Sequence, residues 1–161
     1  MSHTTNDDGR VPTAIPAEQD LLGSLISGAA TLADLPGFQS DWFSDPIHTC
    51  IYQAIEAQAA RGSPCDVASL SSILAPCSET TDGPEPDSVL EEVGGAGYLA
   101  DLDGRSVPEI AVSARKVRGA WLCRQLIDLG QSLVSSAFGG RFTEALNMAM
   151  WRVSDLSAVV G

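Results

Sequence analysis

The chain has 161 residues, with nine Lys and Arg against 21 Asp and Glu and a formal net charge of −12, long enough to bury the core of one domain. The polar opening MSHTTNDDGR and the lack of any run of 18 apolar residues argue against a signal peptide and a membrane span, so the protein is expected in the cytoplasm. The acidic balance disfavours strong direct binding to nucleic acid, because attraction of Lys and Arg to phosphates supplies most non-specific affinity.

Residues 1–14 are polar and broken by Gly9 and Pro12, and are expected as a disordered arm. Pro16 suits a first helical turn, with Glu18 and Asp20 close behind, and the stripe Leu21, Leu22, Leu25 and Ile26 predicts a buried face. A short helical turn over 30–35 precedes Pro36-Gly37. Asp45 as a cap and Pro46 in the first turn open a stronger helix with Ile47, Ile51, Ala54 and Ile55 inward, which Gly62 ends. Asp66 opens the next, with Leu70, Ile73 and Leu74 inward and Pro76 as its stop. Residues 77–88, CSETTDGPEPDS, carry two prolines, a glycine and four acids and predict an exposed loop. Two short helices, 89–93 and 97–102, are expected on either side of Gly94-Gly95.

From Pro108 to Phe138 apolar residues recur at three- and four-residue steps, which predicts one long helix of roughly 30 residues, about 45 Å at the usual rise. Gly139-Gly140 breaks it, and Phe142, Leu146, Ala149, Met150, Val153, Leu156 and Val160 form the stripe of a returning helix. Two helices cannot bury all of this apolar surface by pairing with each other, and Leu122, Ile127, Leu129, Val134 and Trp151 fall off any narrow stripe. A surface for self-association is therefore expected. No segment alternates as a strand would. The expected fold class is all-α, with a globular head of about six short helices over 15–104 and an antiparallel helical hairpin over 105–161.

Charge divides along the same line. Residues 11–106 hold two arginines against fifteen acids, a net of −13, whereas residues 107–161 hold six cations against four acids, a net of +2. An acidic head suits a basic protein partner or simple solubility.

The residues do not suggest catalysis. A phosphate-cradling loop of the form GxxxxGK[ST] needs a lysine after glycine, and the single lysine, Lys116, follows Arg115 inside a helical pattern. Cys50, Cys65, Cys77 and Cys123 are widely spaced, without CxxC or zinc spacing, and read as reduced thiols. His48 with Asp45 and Glu56 lacks a nucleophile at motif spacing and reads as a packed or capping histidine. Glu91-Glu92 and Asp101 with Asp103 lack the oxygen-ligand spacing of a calcium loop. Trp42, Trp121 and Trp151 lie in patterns of core or helix pairing rather than of base stacking.

One ordered series runs through the chain. Pro12, Ile15, Ala17-Glu18-Gln19 and Leu22-Gly23 come first, then Asp41-Trp42-Phe43, then His48, Ile51-Tyr52 and Ile55. Gly62, Pro64, Asp66 and Leu70 follow, then Val93-Gly94-Gly95 with Tyr98-Leu99 and Leu102, then Pro108, Val117, Arg124, Leu126 and Ile127. Over about residues 11 to 158 this resembles the N-terminal domain of DnaB-type replicative helicases, without the RecA-like motor domain. Glu18, Gln19, Gly23, Asp66, Gly94, Gly95 and Tyr98 are the positions that match the family pattern. The resemblance implies a six-helix head and a hairpin, domains that pair through hairpins, and a collar of three dimers that receives primase. Three features depart from it: Pro16 replaces an acid usual at the helix start, the loop at 77–88 is expanded, and the linker and motor are missing. The last takes unwinding out of what the resemblance implies for this chain.

The expected function is that of a non-catalytic interaction and oligomerisation module of the replication machinery, with no catalytic, cofactor-binding or metal-binding residues. Expected partners are a second copy, in a homodimer or higher homo-oligomer, and a helicase motor subunit, primase or helicase loader. Self-association is assigned to Val117, Trp121, Leu122, Leu126, Leu129, Leu133, Leu146, Met150 and Val153. The alternative is a free-standing regulator or split subunit that joins a separately encoded helicase motor.

Overall fold

The computed structural model describes residues 11–74 and 95–160. Its helices are α1 (Ile15–Ile26), α2 (Pro46–Ala60), α3 (Val67–Leu74), α4 (Ala96–Asp103), α5 (Ile110–Phe138) and α6 (Phe142–Val160), with 3-10 turns at Leu32–Asp34 and Ser40–Trp42. Among the described residues there is no strand, so the chain is all-α. The expected stop at Pro76, the loop at 77–88, the helix at 89–93, Gly94 and the first ten residues lie outside the described residues. No helix among the described residues is long and apolar enough to cross a membrane.

Local chemistry sets the helix ends. Asp45 caps α2 by accepting from Ile47 N at 2.8 Å, with Pro46 in the first turn, where its missing N–H leaves no bond unmade. Asp66 Oδ1 accepts from Ser69 N at 2.8 Å at the start of α3, and the bond holds its carboxyl below the usual range. The 3-10 turn at Leu32–Asp34 closes with a reciprocal box between Thr31 and Asp34. Gly62 ends α2 in the left-handed region, donating to Ala59 O, while Ser63 N donates to Gln58 O.

The described residues form two compact units, residues 13–74 with 95–118, and residues 119–160 with 11–12. The division falls inside α5, after Arg118, so the first two turns of that helix belong to the head. In the head, α1 contacts α2 and α4, α2 contacts α3 and the second 3-10 turn, and α3 contacts α4. Every residue of α1 from Leu21 to Ile26 is buried. A methyl group on Gly23 would sit 2.1 Å from Leu102 O, so only glycine lets α1 approach α4 this closely. Ser24 Oγ accepts from Val107 N at 3.0 Å and so ties the strand of chain before α5 to α1. Phe38, Trp42, Phe43 and Tyr52 pack edge-on or tilted, with ring centroids 5.0 to 5.5 Å apart. Of the stripe expected inward on α3, Leu70 is fully buried but Ile73 is exposed, because an eight-residue helix presents one narrow face.

Candidate protein-interaction surfaces

Three positions picked out in the sequence, Glu18, Gln19 and Tyr98, converge on His48. Glu18 and His48 have no exposed surface. Glu18 Oε1 accepts from Ser44 N at 2.8 Å and from Ser44 Oγ, and Glu18 Oε2 lies 2.7 Å from His48 Nδ1. On the other side of the ring, His48 Nε2 lies 2.6 Å from Tyr98 Oη, which accepts from Gln19 Nε2 at 3.3 Å. All donors are satisfied when Tyr98 donates to Nε2 and Nδ1–H donates to Glu18. Burial raises the Glu18 carboxyl, but the bonds from His48 and Ser44 outweigh it and leave it below the usual range. Burial raises the Tyr98 hydroxyl, which keeps it a donor.

This group holds a serine, a histidine and a carboxylate in an order unsuited to nucleophilic catalysis. A base must lie between nucleophile and acid. Here Glu18 lies between Ser44 and His48, both ring nitrogens are engaged, and the pair is sealed from substrate. The network is a fastener joining α1, the cap loop of α2, α2 and α4. Sequence reasoning grouped His48 with Asp45 and Glu56, its neighbours along the chain, whereas its partner is Glu18, 30 residues away. A signal was present, since Glu18 lies three and four residues before Leu21 and Leu22 and shares their buried face. Gly95 begins α4 at φ +63°, which requires glycine. Among the described residues no group of three or more His, Cys, Asp or Glu is placed to hold a metal ion.

The hairpin unit is arranged in the opposite sense. Its turn is a Schellman motif: Gly140, at φ +70°, donates to Ala137 O, and Arg141 N donates to Ser136 O. The groove lined by Leu122 and Leu126 of α5 and Val153, Leu156 and Ser157 of α6 shows the two helices running antiparallel. Leu129 and Ser136 on α5 and Ala145 on α6 are buried. Large side chains face out. Ten of the twelve exposed large apolar residues among those described lie on these two helices, including Phe138 at 91 % and Met150 at 73 % exposure, an unusual concentration for a surface meant only for water.

Of the residues assigned to self-association, Leu126, Leu146, Met150 and Val153 are exposed, and Trp121, Leu122 and Leu133 are half-buried. Two of the assigned residues are buried within the chain itself. Val117 is fully buried, because Ile110, Ser113 and Val117 form the face that the first turns of α5 give to the head. Leu129 is also buried, within the hairpin unit. Phe138 and Phe142, on either side of the turn, were not assigned although both are open; the signal was an aromatic at each end of Gly-Gly-Arg, where neither helix can cover it.

An all-α head joined to a helical hairpin is the architecture of the N-terminal domains of replicative helicases. The chain belongs to the DnaB-like helicase N terminal domain family, whose sequence pattern matches residues 10–118. The replicative DNA helicase DnaB of Rickettsia prowazekii is 30% identical over 138 residues, covering 84% of this chain and 26% of the relative. The replicative DNA helicase DnaC of Bacillus subtilis is 32% identical over 137 residues, covering 82% and 28%. The chain thus spans about a quarter of the length of these relatives. The crystal structure of the N-terminal domain of DnaB helicase from Mycobacterium tuberculosis superposes with a TM-score of 0.77 at 25% identity, covering 91% of this chain and 99% of that one. A DnaB-like replicative helicase, described with its interactions with primase, shares the fold at a TM-score of 0.63 and 19% identity, covering 88% of this chain and 31% of that one. The matched part is the helicase's N-terminal domain, not its catalytic motor.

Proposed function

We propose that the chain is a non-catalytic oligomerisation and docking module of the DNA replication machinery. It pairs with a second copy through the hairpin and offers its remaining surface to a primase or a helicase loader. The observation that carries this reading is the hairpin's open apolar face, where Phe142, Leu146, Met150 and Val153 recur at helical spacing on α6 and all are exposed. Leaving such a stripe in water is unfavourable by about 25 cal/mol for each Å² a second copy would cover. Sedimentation velocity at tens of micromolar tests it. A dimer or larger assembly is expected, and Phe142→Glu with Met150→Glu shifts it to monomer with helicity retained. A wild-type chain that sediments as a monomer under these conditions overturns the self-association.

A further inference from the structure

Two methionines stand close together on α6, and only one of them shares its apolar face. Met150 is 73 % exposed and lies in the stripe of Phe142, Leu146 and Val153, with Leu146 one turn before it and Val153 one turn after it, both also exposed. A small solute therefore reaches its thioether in the single chain. Met148 lies two positions earlier, about 200° round the helix and outside that stripe, and is 36 % exposed. The side chains of Phe142, Leu146 and Val153 are inert to mild oxidants. A thioether is not, because it converts to a sulfoxide, which sets a polar oxygen on an otherwise apolar side chain. Met150 is thus the one member of the stripe whose polarity can change without a change of sequence, and its unbranched chain suits it to fill an uneven contact while reduced.

We propose that Met150 is an oxidation site through which hydrogen peroxide weakens self-association of the hairpin. In the step, the Met150 sulfur attacks one peroxide oxygen, an S–O bond forms as the O–O bond breaks, and the departing oxygen takes the proton of the transferred hydroxyl and leaves as water. The sulfur loses two electrons and the peroxide gains them. Seating the resulting sulfoxide against the apolar residues of a second copy strips its oxygen of water without supplying a donor, which opposes pairing. The direction follows from where the residue lies in each state: open to peroxide in the single chain, covered in the pair. Oxidation captures single chains and assembly protects them. The thiols answer differently. Cys123 is exposed and Cys50 and Cys65 are half-buried, and all are free. Burial, with Asp66 nearby, pushes the Cys65 thiol up and away from the reactive thiolate. Disulfides and sulfenic acids are undone by a thiol reductant, whereas the sulfoxide is restored by methionine sulfoxide reductases. This rests on the proposed pairing through the hairpin and adds its regulation.

The test treats the full chain with hydrogen peroxide and then with dithiothreitol, maps the modified residues by mass spectrometry of proteolytic peptides, and follows assembly by sedimentation velocity. The oxidised chain is expected to associate at least about tenfold more weakly than the untreated one, with helicity unchanged by circular dichroism, and to recover on incubation with methionine sulfoxide reductases. Met150→Leu should associate like wild type and lose the response to peroxide, while Met148→Leu should keep it. Oxidation of Met150 should slow as protein concentration rises through the association range, and that of Met148 should not. The proposal is overturned if the chain carrying Met150 sulfoxide associates as tightly as the untreated chain, if Met150→Leu stays as sensitive as wild type, or if helicity falls in step with assembly. An untreated chain that is already monomeric overturns self-association itself and this regulation with it, whereas failure of the peroxide arm alone leaves self-association standing.

Discussion

The head and the hairpin are both rich in apolar residues and arrange them in opposite ways. In the head the large side chains point inward and even a carboxylate and an imidazole are sealed there, each with its partners. In the hairpin the buried positions include small ones, Ala145 and Ser136, while Phe138, Phe142, Met150 and Trp151 face solvent. The difference teaches how to separate residues that make a fold from residues that await another molecule: the first are intolerant of change in the isolated chain, the second are not.

That contrast can be broken most severely at Glu18. Glu18→Ala leaves His48 Nδ1–H and the Ser44 donors without an acceptor in the core, and breaking a buried pair of this kind costs about 3–5 kcal/mol. Thermal unfolding followed by circular dichroism should show Tm lowered by about 10 °C or more. Gly23→Ala comes next. The added methyl collides with backbone at Leu102 O, which no rotamer relieves, and overpacking of this type costs about 1–3 kcal/mol in denaturant titration. An acid titration probes the same fastener without mutation. Because the Glu18 carboxyl is held below its ordinary value near 4.5, its contribution is complete above that value and is lost as pH falls through the lowered one. Asp34 and Asp66, lowered by their backbone bonds, act in the same direction. Glu18→Gln should therefore flatten the acid limb of the stability curve relative to wild type.

Smaller effects are expected in the hairpin. Gly140→Ala places a Cβ in the left-handed region at φ +70° and costs about 1 kcal/mol, read as loss of helicity on heating. Phe138→Ser with Met150→Ser should change the stability of the monomer by under about 0.5 kcal/mol while weakening association in sedimentation. A large loss of monomer stability from that pair would erase the distinction between the two regions.

Many of the helix ends were legible residue by residue. Asp45-Pro46, Gly62, Asp66 and Gly139-Gly140 mark helix boundaries through chemistry that acts within a few positions, and the structure places those boundaries within a residue or two. What the sequence hid was pairing across distance. Nothing local says that Glu18 will meet a histidine 30 positions on, or that Gly23 is glycine because a carbonyl from α4 fills the space of its side chain. The uniform periodicity of α5 likewise conceals that Val117 and Leu126 serve different units, since a helix repeats its spacing whatever lies against it.

A single carboxylate bonded to the loop before α2 and to a ring that in turn reaches α4 has a consequence for motion. None of these helices can peel away without stranding a polar group that the others hold, so loosening one loosens all. The head should accordingly breathe as one piece, with amides of α1, α2 and α4 exchanging with solvent through a common opening rather than helix by helix.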